Sequence, residues 1–147
     1  RLYVGGEVSQ SAIVTEVRVT AHTYSTSGSG SDTVEVGGKK YFHTTAVTVK
    51  QNPNITASTK PNVIEVKDAT LVNSTNVAAV TQHVFDYYMR RQTHSVQIVM
   101  DKELPGDYVD TTTPWDDHIT GTITSMTIKL SGIAAAECDI VGTGASA

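Results

Sequence analysis

The chain has one cysteine, four leucines and no long apolar run among its 147 residues. A single cysteine excludes an intrachain disulfide framework, and with it the small stapled secreted folds. The scarcity of leucine, a good helix former, argues against a helical bundle. No apolar stretch reaches the length of a membrane-crossing helix, and neither a Gly-X-Y period nor a heptad seam is present. Positive charge is also short, with 11 Lys and Arg against 15 Asp and Glu for a net charge of -4. A domain that grips nucleic-acid phosphates carries a basic stripe, and Lys39-Lys40 and Arg90-Arg91 are only isolated pairs. No segment reads as a signal or transit peptide. The chain opens at Arg1 rather than Met, which is expected of a piece of a longer protein.

What fills the composition is Thr, Val and Ile, 50 of the 147 residues. Branched side chains suit a pleated, half-buried surface, so the expectation is a β-rich domain. A chain of this length buries roughly 68–70% of its unfolded surface and supports a core without staples. A single domain over residues 1–147 is therefore expected, with no convincing internal repeat.

Periodicity supplies the elements. Residues 13–21 alternate, with Ile13, Val17, Val19 and Ala21 on one face and Glu16 and Arg18 on the other. Residues 25–31 are Ser, Thr and Gly, the composition of a flexible loop. Residues 33–36 and 40–49 read as strands joined at Gly37-Gly38, where two glycines supply the positive φ angles of a primed hairpin turn. Asn52 and Pro53 end that strand, because Pro53 cannot donate to a ladder. A short strand follows at 63–66. One amphipathic helix is expected at about 75–91, its core face formed by Val77, Val80, Val84, Tyr87 and Tyr88, with Ala78, Ala79 and Phe85 widening the stripe. Asn73, Ser74 and Thr75 are all competent caps, and Arg90 and Arg91 fall in the expected last turn.

Beyond the helix, Val96, Ile98 and Met100 alternate, and Leu104-Pro105-Gly106-Asp107 is a turn signal. Ile119, Gly121 and Ile123 place small or apolar residues at odd positions, whereas Met126, Ile128 and Leu130 place them at even positions. A regular strand cannot change parity, so a β-bulge is expected near Thr124-Ser125. Gly132 turns the chain into a closing strand with Ala136, Cys138 and Ile140 inward, and residues 143–147 read as a frayed tail.

Chemistry is sparse. Cys138 alternates inward as a small hydrophobe rather than standing as a nucleophile. The five histidines show no metal-ligand spacing. Asp101, Glu103, Asp107 and Asp110 lack the interleaved glycine and terminal Glu of a calcium loop, and read as a solvated hairpin edge. Asp116-Asp117-His118 beside Trp115 is the most site-like cluster, since carboxylates favour the charged imidazole. Gly28-Ser29-Gly30 and Gly142-Thr143-Gly144 match no catalytic or phosphate-binding fingerprint. No catalytic, cofactor or metal residue is assigned, and an enzyme is not expected.

Three ordered stretches nevertheless carry a resemblance. They are Asn62-Val63-Ile64-Glu65-Val66 running into the helix that ends Tyr87-Tyr88-Met89-Arg90-Arg91; Leu104-Pro105-Gly106-Asp107-Tyr108-Val109; and residues 119–126 leading through Leu130-Ser131-Gly132-Ile133 to Ile140-Val141-Gly142. In this order, with Asn52-Pro53 upstream, the chain over about residues 45–142 resembles the central baseplate hub proteins of bacteriophage and prophage tails. The resemblance implies a mainly β fold of the α+β kind, tail-tube-like, with bent antiparallel sheets or a barrel flanked by one helix. It also implies a structural role in the virion tail of a particle made in the bacterial cytoplasm. The partners it implies are further copies in a homotrimer of the full-length protein, the tail tube, and a spike or tip protein. DNA would pass through the lumen without specific binding, and no membrane span or cofactor is implied. Turn and bulge positions expected to shape the barrel are Asn52, Pro53, Gly106, Asp107, Gly121 and Ser125. The rival reading is an immunoglobulin-like surface adhesin or carbohydrate-binding β-sandwich, in which Trp115 and Tyr108 would stack on sugar rings.

Overall fold

The computed structural model describes residues 3–113 and 118–144. It is mainly β, about 55% strand with one helix, and its two sheets curl strongly into half-barrels. Where one domain is expected, the chain is laid out as two compact units: Arg1–Ile13 with Met89–Ala147, and Val14–Tyr88. Trp115, Asp116 and Asp117 lie outside the described residues.

The first unit is a five-stranded antiparallel sheet. Its strands are β1 (Tyr3–Gln10), β6 (Gln92–Val99), β7 (Tyr108–Thr112), β8 (His118–Ser131) and β9 (Ile133–Gly144), in spatial order β1-β6-β9-β8-β7. Alternation drives its core: Val96, Ile98, Ile119, Ile123, Ala136, Cys138 and Ile140 are all buried on one face. The expected parity change is there. Ile123 pairs with Ile140 and Ser125 with Asp139, so Thr124 is the extra residue of a bulge. Gly132, at φ 87°, turns the chain between β8 and β9. The tail expected over 143–147 is ordered at its start, because Thr143 pairs with Thr120 and Gly144 with Ile119; residues 145–147 lie outside the described residues.

The second unit holds β2 (Glu16–Ser25), β3 (Thr33–Val36), β4 (Lys39–Gln51), β5 (Val63–Val66) and α1 (Val77–Met89), with sheet order β3-β4-β2-β5. Gly37 and Gly38, at φ 59° and 74°, make the β3–β4 hairpin turn. Val17, Val19 and Ala21 are buried as their alternation requires. The β2–β5 pair is parallel, a departure from the expected antiparallel sheets. Two contacts fix it: the Thr15 amide donates to the Asn62 carbonyl at 2.8 Å, and the Asn62 amide donates to the Thr15 hydroxyl at 2.9 Å.

The helix is shorter than expected, and its face is rotated. Asn73 serves as the cap, its Oδ1 accepting the Thr75 and Asn76 amides at 2.9 and 3.3 Å. Thr81 and Phe85 are the buried residues; Val77, Val80 and Val84 are half-buried, and Tyr87 is 69% exposed. Thr81 tolerates burial because its hydroxyl donates to the Val77 carbonyl at 2.7 Å. Phe85 packs under the Lys50 ammonium of β4, 4.9 Å from the ring centroid. Tyr87 and Tyr88 instead meet each other edge to face. Arg91 falls beyond the helix and donates to the Ser11 carbonyl through Nε and Nη2. Among the described residues no helix is long and apolar enough to cross a membrane.

Candidate functional site

The expected shaping residues play different parts. Gly106 and Asp107 form the turn into β7: Gly106 has φ 100°, the Asp107 amide donates to the Leu104 carbonyl, and Asp107 Oδ2 accepts the Leu104 amide at 2.8 Å. Asn52 is more than a strand end. It is buried, with Nδ2 donating to the Val14 carbonyl and Oδ1 accepting the Asn54 amide, while Pro53 stays exposed. Gly121 is not part of the bulge. It sits opposite Gly142, and a Cβ on Gly121 would lie 2.4 Å from the Val141 carbonyl oxygen. The two glycines let β8 and β9 approach too closely for any side chain.

Ser125 follows the bulge on the outer face. Its hydroxyl donates to Asp139 Oδ2 and the Ser95 hydroxyl to Oδ1, both at 2.7 Å. Those two bonds, from Ser95 and from Ser125, hold the Asp139 carboxyl below the ordinary range against partial burial. With Glu7, Gln97, Thr127 and Glu137 they line an open polar trough of about 550 Å³. Glu137 is drawn to Lys129.

On the opposite face, Cys138 is buried, and burial with the nearby Asp139 and Glu103 raises its thiol. His94 is also buried, 1% exposed. The Thr111 hydroxyl donates to the Ile119 carbonyl, so its oxygen accepts from His94 Nδ1 at 3.0 Å. Nε2 is then the unprotonated nitrogen. Among the described residues it has no hydrogen-bond partner, and burial pushes the imidazole below its usual range. Gly6 leaves room for it, since a Cβ there would lie 2.5 Å from Nε2.

The site-like cluster at 115–118 reaches the described residues only through His118, whose Nδ1 lies 3.2 Å from the exposed Asp110. In the acidic stretch, Glu103 is buried and its Oε2 accepts the Asp101 and Lys102 amides. Among the described residues no three His, Cys, Asp or Glu side chains converge as a metal site.

The strongest titratable grouping is one that spacing in sequence does not reveal. The β2–β4 register places Tyr24 opposite His43 and His22 opposite Thr45. His22 Nδ1 lies 2.9 Å from His43 Nε2, His22 Nε2 lies 2.7 Å from the Lys67 carbonyl, and His43 Nδ1 lies 2.7 Å from Asp32 Oδ2. The imidazole centroids are 5.1 Å apart with planes 6° apart. Rings lying face to face would hold their nitrogens farther apart, so the two meet edge to edge through the N···N contact. The Tyr24 ring lies nearly parallel to His43, with centroids 4.8 Å apart.

β7 covers β8 only from His118 to Thr122. Among the described residues, the same edge of β8 has no ladder partner beyond Ser125, where Ile128 and Leu130 are exposed. The outer face of the second sheet carries exposed Val34, Val36, Val47 and Val49.

No family model matches the chain, and no curated protein or solved structure matches it significantly.

Proposed function

We propose that the chain is a structural component of a phage or prophage tail baseplate hub, joining the tail tube to the central spike or tip by subunit assembly. The observation that carries the reading is the edge of β8 beyond Ser125, which has no ladder partner among the described residues, on a strand bent by the Thr124 bulge. An unpaired strand edge is a template for pairing with another chain, and proteins that stay monomeric blunt such edges. The ordered motifs over residues 62–91, 104–109 and 119–142 support the same reading, as do the curled sheets and single helix. The proposed role is assembly rather than catalysis. In the full-length protein it is carried out as a homotrimer around a lumen through which DNA passes, and a mildly acidic net charge keeps phosphates from adhering.

The test is particle composition. Tails purified after prophage induction should contain the chain, with antibody label at the distal end of the tube in electron micrographs. Intact tails that lack the chain would refute the reading.

A carbohydrate-binding or adhesive β-module is the second reading, favoured by Tyr108 at 68% exposure on the rim of β7. Glycan-array binding lost in both Trp115→Ala and Tyr108→Ala would move the assignment there.

A further inference from the structure

We propose that His22, His43 and Asp32 form a proton-counting latch, which ties the loop before β3 and the segment after β5 to the sheet at a single protonation level. Donors and acceptors set the proton count. Three contacts join four groups in a line: Lys67 carbonyl to His22 Nε2, His22 Nδ1 to His43 Nε2, and His43 Nδ1 to Asp32 Oδ2. Each contact needs one proton. A carbonyl only accepts, so His22 Nε2 must carry a hydrogen. The N···N contact takes the second proton, and the contact with the Asp32 carboxyl takes the third. Two neutral imidazoles beside an ionised carboxylate hold only two.

The latch is therefore complete with one proton more than that pair, whether this proton sits on an imidazole or on Asp32. Removing it leaves two lone pairs facing each other at one of the contacts. Adding another gives two imidazolium rings with N–H groups opposed across 2.9 Å. Both changes break the line, so the latch is strongest at an intermediate pH and weakens on either side.

The surroundings define what else acts on it. Tyr24 packs along the His43 ring from β2, and Asp32 faces it from the loop before β3. From the segment after β5, Lys67 presents its carbonyl, while its ammonium is taken by Glu65, 2.6 Å away, which in turn neighbours Arg18. Two backbone bonds report on closure: the His43 amide to the Asp32 carbonyl at 3.0 Å, and the His22 amide to the Val72 carbonyl at 2.7 Å. This inference rests on these contacts alone and stands whether or not the chain belongs to a tail hub.

The test is hydrogen exchange of those two amides in the whole chain across pH, each corrected for its intrinsic exchange rate. Protection should pass through a maximum and fall about fivefold or more on both sides, as expected for one lost charge-assisted hydrogen bond. His43→Gln should flatten the profile, and His22→Asn serves equally should the first variant fail to fold. Nitrogen-15 spectra at the maximum should show three protons distributed over the ring nitrogens and Asp32. A monotonic or flat wild-type profile, or a maximum that survives in either folded variant, would overturn the latch.

Discussion

Replacing Gly142 with alanine probes the closest backbone approach in the first unit. The added Cβ would lie 2.1 Å from the Thr120 carbonyl oxygen and 2.6 Å from Gly121 Cα, where ordinary contact begins at 3.4 Å. Neither neighbour is a side-chain end that can swing aside, so β8 and β9 must part by more than an ångström. Overpacking a tight interior costs about 1–3 kcal/mol. Stretching adjacent ladder bonds adds about 1 kcal/mol each. Alanine's smaller unfolded-state entropy returns about 0.4–1 kcal/mol. The net expectation is a loss of about 3 kcal/mol, a large share of a typical domain's stability. Gly121→Ala should cost a similar amount, because its Cβ would meet the Val141 carbonyl oxygen at 2.4 Å. The decisive measurement is the double variant. Once the strands have parted for one methyl group, the second needs little more room, so the pair should cost about 2 kcal/mol less than the sum. Urea unfolding of the whole chain, followed by amide exchange in β8 and β9, gives all three values. Single losses below about 1 kcal/mol, or strict additivity, would refute the steric argument.

Two further predictions concern the same unit. His94 is held neutral by burial, so the unfolded chain binds its proton more readily than the folded one. The stability it contributes is whole above about pH 6.5, the ordinary imidazole value, and drains away as pH falls below that toward the lowered folded value. A urea midpoint series read on first-unit amides should slope downward in this window and be flatter in His94→Gln; equal slopes would remove His94 as the cause. Deleting Thr124 should keep every β8–β9 pairing while straightening the strand, because Ile123 and Ser125 already oppose consecutive residues of β9. Circular dichroism should then be unchanged while, on the proposed assembly role, incorporation into tails is lost; normal incorporation would separate the bulge from that role.

Much of the fold is readable in the sequence because its devices are local. The Gly37-Gly38 turn, the Pro105-Gly106 turn and the parity break at Thr124 each follow from a few adjacent residues. β1 is harder to see, since Gly5 and Gly6 interrupt its alternation, and Gly6 is there for His94 across the sheet. The helix face is legible only in part: Phe85, which widens the apolar stripe, is buried, whereas polar Thr81 takes a core position and Tyr87 turns outward. The parallel β2–β5 pair depends on hydrogen bonds between Thr15 and Asn62, which no period encodes. The imidazole pair is the same kind of case, because 21 positions separate His22 from His43 and only the β2–β4 register brings them together.

The division of the chain has a consequence for synthesis. The second unit is nested inside the first, between β1 and β6. The first unit's two segments on either side of it meet, for Gln10 pairs with Gln92, and Arg91 reaches Ser11 across 80 positions. A ribosome delivers β1 early, and that strand must wait unpaired until β6 emerges. All of Val14–Tyr88 is synthesised by then, and a compact unit of this kind can fold before the strands around it close. A compact insert shortens the effective loop between β1 and β6, which lowers the entropy cost of closing the first unit. Lesions in the insert should accordingly delay the sheet that carries the open edge, even though they lie in a different unit from it.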